Sequence, residues 1–265
     1  MHLRFLALPL ALAASFTVTS PAWSQKAQLT AELKLKFKGV GVARMKNTIT
    51  LRGATYQVSG KIQANRLVKL FANGKATYSS SGSFAGGALT PANHKLFYKQ
   101  GKDRQSTEVR FVSGDAVNVI ASPAIKYKKS AVPVTKAHRA DTLDPISGLV
   151  FALKPGQRGT GAQVCNRSVD IFDGKERYTL RFSHKRTRKA RVDGFSGPVH
   201  VCGIRYVPVA GHRPKKGSIK RLQANRGMEI EMARVGKTPI YSLFGFTIPT
   251  KAGLASGSAT RFELR

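Results

Sequence analysis

The sequence predicts an all-β protein: a curved antiparallel sheet, β-spiral or open-barrel-like, with one or two short helices packed against it. Three observations carry this expectation. Apolar side chains recur at every second residue, as in Leu29, Ala31, Leu33, Leu35 and Phe37, which alternate with Lys34, Lys36 and Lys38. A period of two is that of a strand with one buried face. Clusters of Gly, Asn, Ser and Pro punctuate the alternation, as hairpin connections do. Beyond the first two dozen residues no run reaches the roughly 18 apolar residues that a membrane helix needs.

Met1–Ser24 reads as a secretory signal peptide. His2 and Arg4 give a short cationic start, Phe5 to Val18 is apolar, and Ala22-Trp23-Ser24 places small residues where signal peptidase inspects. The apolar run is too short for the roughly 20 helical residues that cross a bilayer. It also lacks the polar face of a surface helix. The expected product is a single β domain over 25–265, exported to the periplasm.

Taken in order, the strands are expected at Leu29–Phe37, around Ile49 and Leu51, at Tyr56 and Val58, at Leu96 and Tyr98, at Val109 and Phe111, and at Val117 and Val119. Ser79 to Gly87 is read as a turn cluster, as are Gly101–Asp103, Ser113–Asp115 and Ser122-Pro123. A helical turn is expected over Ala64–Ala72 on the strength of Leu67, Val68, Leu70 and Phe71. A connector from Pro123 leads to a predicted helix at 145–153. There Asp144 is placed to cap, Pro145 suits the first helical position, and Leu143, Ile146, Leu149, Val150 and Leu153 repeat at helical spacing. Strands resume at Val169 and Ile171, turn at Asp173-Gly174, a strong hairpin signal, and continue through Tyr178–Phe182, Val199–Val207, Met228–Met232, Leu243–Ile248 and Ala259–Leu264.

The chain holds two cysteines, Cys165 and Cys202. In an exported chain two cysteines have one possible pairing, and an oxidising compartment lets it persist. A disulfide is therefore expected. His200 and Cys202 share a strand face, but no further ligands cluster with them, and a structural zinc site needs four.

The charge is the other strong signal. Lys and Arg number 45 against 13 Asp and Glu. In a cytoplasmic protein that would suggest nucleic acid. Outside the cytoplasm the abundant polyanions are lipid headgroups, lipopolysaccharide phosphates and wall polymers. A field of this sign raises encounter rates with such partners, in a salt-dependent way. Between Lys175 and Met228 there are 15 cations and two acids, Glu176 and Asp193. Lys185, Arg186, Arg188, Lys189 and Arg191, with Arg213, Lys215 and Lys216, are the candidate residues for an anionic envelope component or an acidic periplasmic protein. Nucleic acid is not an expected partner, and membrane association is peripheral at most.

Catalytic motifs are lacking. The sequence has no Gly-x-Ser-x-Gly elbow, no His-Glu-x-x-His helix and no phosphate loop. Nothing in the sequence brings a histidine or a nucleophile near Asp141, Asp144, Asp170 or Asp173. Neither an enzymatic activity nor a cofactor is expected.

Three segments resemble a known family. They are Thr142-Leu143-Asp144-Pro145-Ile146-Ser147-Gly148-Leu149, the stretch Cys165-Asn166-Arg167-Ser168-Val169-Asp170-Ile171-Phe172-Asp173-Gly174-Lys175-Glu176-Arg177-Tyr178, and Cys202-Gly203-Ile204-Arg205-Tyr206-Val207-Pro208-Val209-Ala210-Gly211-His212-Arg213. They look like a bacterial envelope family, domain of unknown function 3108, in its alphaproteobacterial form. The resemblance runs roughly from Ala31 to Leu264. It implies a periplasmic all-β protein without established catalytic residues. More distantly the chain is similar to periplasmic β-spiral envelope-integrity proteins and open-barrel lipoprotein carriers. No functional residue transfers.

The resulting expectation is a soluble, non-catalytic periplasmic binding or scaffold protein that supports the envelope, with a lipid as one possible ligand. Two rivals share parts of the evidence. An outer-membrane β-barrel has the same signal and alternation, but lysines and arginines are costly on a lipid face. An envelope hydrolase with an unrecognised site is the other.

Overall fold

The computed structural model describes residues 26–65 and 74–265. The signal segment Met1–Ser24 and the helical turn expected around Leu67 to Phe71 lie outside the described residues. The described residues form fourteen strands: β1 (Ala27–Phe37), β2 (Val40–Arg52), β3 (Thr55–Ala64), β4 (Gly74–Ala85), β5 (Ala88–Gln100), β6 (Asp103–Val112), β7 (Asp115–Ser122), β8 (Val150–Ala152), β9 (Arg167–Phe172), β10 (Arg177–Val192), β11 (Phe195–Ala210), β12 (Glu229–Arg234), β13 (Ile240–Thr250) and β14 (Gly253–Leu264). Two short helices, α1 (Gly161–Cys165) and α2 (Gly217–Ala224), complete the set.

Neighbouring strands pair antiparallel in two meanders, β1–β7 and β9–β14. The pairing of β1 with β14 joins the meanders into one sheet, and β8 branches onto β13. The sheet curls into a nearly closed barrel with one seam, between edge strands β7 and β9. The connector closes much of that seam. Thr142 N–H donates to the Gly114 carbonyl, and Leu143 runs parallel to Ile171, donating to Asp170 O and accepting from Phe172 N–H. The Asp173-Gly174 turn lies against the inward face of β6 and β7. Gly174 is needed there: its φ is +96°, and a Cβ would sit 2.7 Å from a Thr107 methyl.

The alternation seen in the sequence sorts side chains inward and outward. Leu29, Ala31, Leu33, Ile49 and Val58 face in and are buried, as are Val164, Met232 and Ile240 opposite them. One apolar core links both halves, and a smaller cluster of Val109, Phe111, Ala116 and Phe172 lies beside the seam. At about 25 cal/mol per Å² of apolar area buried, this core is the main favourable term in folding.

Two expectations are corrected. Residues 145–153 are not a helix. Ser147–Leu149 make one 3₁₀ turn, and Val150–Ala152 become β8, because their backbone groups find partners on β13. Ser79 to Ala85 is not a turn but the second half of β4, paired on both sides by β3 and β5. Its serines and glycine suit a crowded site: a Cβ on Gly82 would meet the Thr90 carbonyl at 2.2 Å. The helices lie elsewhere. Helix α1 starts at a Thr160–Gln163 capping box, a Thr-x-x-Gln signal that the sequence reading passed over. Helix α2 packs on β11 through Ile219.

Candidate functional site: a buried polar latch and a basic hairpin

The most concentrated polar chemistry lies inside the barrel. Asp144 is fully buried. Its Oδ1 accepts from the backbone N–H groups of Ile146 (2.9 Å) and Ser147 (3.0 Å), the capping role expected from the sequence. The sequence did not announce the rest. Ser80 Oγ donates to Oδ1 at 2.6 Å and Ser147 Oγ to Oδ2 at 2.5 Å, while His94 Nδ1 lies 3.1 Å from Oδ1. Tyr56 extends the network through a 2.7 Å bond to Ser147 Oγ. The register places Val58, Ser80 and His94 side by side on the inward face of β3, β4 and β5. Burial by itself would raise the Asp144 pKa; the contacts with His94, Ser147 and Ser80 outweigh it and hold the carboxyl below its ordinary value. Burial also pushes the Tyr56 phenol up.

A serine, a histidine and an aspartate thus meet, yet not as a nucleophilic triad. A triad needs one ring nitrogen on the carboxylate and the other on the hydroxyl. Here both partners face Nδ1, and the Ser80 hydroxyl is directed to the carboxylate. All these side chains are buried. The arrangement is a latch that fastens the connector to the inner wall of the first meander. Sequence reasoning missed it because Ser80 and Asp144 are 64 residues apart, and strand register brings them together.

The expected disulfide is present. Cys165, at the end of α1, is bonded to Cys202 on β11, with Cα atoms 5.3 Å apart and both residues fully buried. Arg167 follows the bridge. Its guanidinium donates to the carbonyls of Ala152 and Gln163 and lies 4.5 Å from the Phe151 ring centroid. Burial pushes its pKa down to about 10, so it stays charged at neutral pH. These contacts tie β9 to β8 and α1, beside an open cleft of about 810 Å³ along the seam.

The candidate basic residues are all exposed. Lys185, Arg186, Arg188, Lys189 and Arg191 stand along β10. Two of them are already engaged: Arg186 forms a fork with Glu229 (3.2 and 3.0 Å), and Arg188 with Glu231 (3.1 and 2.6 Å). Lys185, Lys189 and Arg191 have no carboxylate within 4 Å among the described residues. Arg213, Lys215 and Lys216 lie in the loop before α2, beyond Ala210. Lys189 pairs with Pro198 in the β10–β11 ladder. The twelve residue steps from Pro198 to Ala210 span about 40 Å of strand at 3.3 Å per residue. The second cluster therefore stands at the far end of the hairpin and does not join the first.

The molecule is thus a barrel-like β protein with a packed apolar inside, an internal polar latch and a basic outside. A family model described as protein of unknown function (DUF3108) matches residues 7–230, and the chain belongs to that family. No curated protein matches it. Among solved structures the chain is similar to a β-barrel-like protein of domain of unknown function DUF1849 from Brucella abortus. The identity is 8%, over 91% of this chain and 98% of that one, with a TM-score of 0.48.

Proposed function

We propose that the protein is an exported, non-catalytic binding or scaffold protein of the periplasm, held at an anionic envelope component by its basic exterior. The observation that supports this most directly is the set of exposed cations on β10, Lys185, Lys189 and Arg191, which have no carboxylate partner among the described residues. The acids do not cancel the field: there are 13 against 45 cations, and Asp144 is enclosed in the core. Lipid headgroups, lipopolysaccharide phosphates and wall polymers share the required charge, as does an acidic periplasmic protein.

The distribution of side chains favours a peripheral role over a membrane barrel. Apolar residues fill the inside while Lys34 and Lys36 point out, the reverse of a lipid-facing wall. The enclosed latch favours binding over hydrolysis, since the hydroxyls of Ser80 and Ser147 are both committed to Asp144.

Sedimentation with vesicles tests the reading. Binding to anionic vesicles is expected to fall steeply with salt, because exposed charges are screened beyond about 8 Å at physiological ionic strength. Replacing Lys185, Lys189 and Arg191 by Gln should weaken it more than replacing Arg186 and Arg188, which Glu229 and Glu231 already neutralise. Equal binding to neutral and anionic vesicles would leave the charge as a solubility feature.

A further inference from the structure

We propose that a cavity at one end of the barrel binds a small anionic amphiphile: an alkyl or aryl group carrying a single phosphate or carboxylate. The cavity measures about 490 Å³ and lies where the tip of the β10–β11 hairpin meets the β12–β13 turn and the end of β14. Its size falls within the roughly 300–1,000 Å³ of small-molecule sites. It goes beyond envelope docking and uses none of the residues proposed for that role.

Its deeper wall is apolar, and Arg158, Ser196 and Arg234 stand around it. Leu29, Phe195, Tyr241 and Phe262 line it, and the Phe195 and Phe262 rings pack edge to face at 5.3 Å. Gly159, Gly194, Gly197 and Gly236 also line it, so part of the wall carries no side chain at all. His200 forms part of the floor. Its Nδ1 meets the Thr187 hydroxyl at 2.9 Å, and burial pushes its pKa down, so the floor is uncharged at neutral pH.

The charge is at Arg158 and Arg234. No lining residue is acidic, and neither arginine has a carboxylate within 4 Å among the described residues. Arg234 is held by the β12–β13 turn: its Nε–H donates to the Thr238 carbonyl at 2.8 Å and its Nη2 to the Lys237 carbonyl at 3.4 Å, which leaves Nη1 to meet a ligand. Arg158 is exposed. Two guanidinium groups without counter-charge beside an aromatic wall match a ligand with one anionic end and one apolar end. The exposed Arg158 offers its fork, which suits phosphate and carboxylate oxygens alike, and Arg234 adds charge and one further donor.

Calorimetric titration with octyl phosphate, octanoate, octanol and inorganic phosphate separates the contributions. Octyl phosphate or octanoate should bind, octanol should bind about tenfold or more weakly, as expected for lost charge-assisted hydrogen bonds, and inorganic phosphate alone should not compete. Arg158→Gln should bring the anions close to octanol; Arg234→Gln should do the same, and if that turn fails to fold, Arg158→Gln decides. Ser196→Trp, at an exposed lining position on β11, should fill the cavity and abolish binding of all probes while thermal unfolding stays unchanged. The inference is overturned if the wild-type protein binds no amphiphile, if octanol binds as tightly as the anions, if inorganic phosphate alone competes equally well, or if Ser196→Trp and Arg158→Gln bind as wild type does. These variants leave the β10 cations in place, so loss here with vesicle binding intact, or the reverse, tells the two proposals apart.

Discussion

Removing the Asp144 carboxylate is expected to cost far more than the loss of a helix-type cap. Capping by itself is worth about 1 kcal/mol. In the structure the same carboxylate accepts from two backbone N–H groups and two serine hydroxyls and faces His94, all within 3.1 Å and all shielded from water. Asp144→Ala would strand those donors in the core. Each buried unsatisfied group costs about 1–3 kcal/mol. With several donors stranded, and some relieved by relaxation and by water entering the gap, the expected loss is about 3–5 kcal/mol. Urea unfolding followed by circular dichroism measures it. In a double-mutant cycle with His94→Ala the double variant should lose less than the sum of the two single losses, since both remove the same contact. The pH dependence has a definite sign. The Asp144 carboxyl is held below its ordinary value when folded, so between the folded value and about 3.9 the unfolded chain binds the extra proton. This contribution is complete above about pH 4 and is lost as pH falls through the folded value. A loss near 1 kcal/mol for Asp144→Ala, with no coupling to His94, would refute the latch and leave only a cap.

Three further outcomes are expected. Replacing Cys165 and Cys202 together by Ala should cost roughly 3–4 kcal/mol by loop entropy for a closed loop of 37 residues; non-reducing peptide mapping of the protein, purified without reductant from an oxidising compartment, should find the cross-link, and two free thiols would sink the idea. Gly60→Ala should destabilise by about 1–3 kcal/mol through overpacking, because its Cβ would run into the Tyr78 ring as well as its hydroxyl; introduced into a Tyr78→Leu chain, the same substitution should lower the thermal midpoint by less than it does alone. Thr160→Ala should cost about 1 kcal/mol by opening the capping box of α1, and an unchanged denaturation midpoint would show that the disulfide alone holds that turn.

The strands were legible where their chemistry was conventional. Leu29 to Phe37 and Tyr178 to Phe182 alternate because one face meets the core, and the pattern survives translation into structure. β4 was hidden for the opposite reason. Ser79 to Ser83 carry small side chains since Gly82 and its neighbours pass close to β5, and small polar residues read locally as a turn. The segment 145–153 has helical spacing, yet β13 offers its backbone better partners than a helix would. In the candidate sites the cysteine pair was readable because it had one possible partner. The meeting of His94, Ser80 and Asp144 was not, since register decides it. Nor could the sequence show that Arg186 and Arg188 would find Glu229 and Glu231, 43 residues away in each case.

The ladder between β1 and β14 governs the order in which the barrel can be built. Gln28 and Arg265 exchange backbone hydrogen bonds, and Leu29 stands opposite Leu264, so the first and last described strands are neighbours. A chain emerging from its N-terminal end can zip β1 to β7 through short hairpins, but β1 keeps a bare edge until nearly the whole length has appeared. Contacts between residues so remote in sequence form slowly, because loop closure must precede them. During that interval the edge is open to pairing with another copy. Deferring collapse until β1 and β14 are both available avoids that hazard. The same adjacency makes the pair of ends a natural junction: a permuted chain that joins residue 265 to residue 26 and opens at the Gly101 turn would keep every ladder while converting its slowest contact into its most local one.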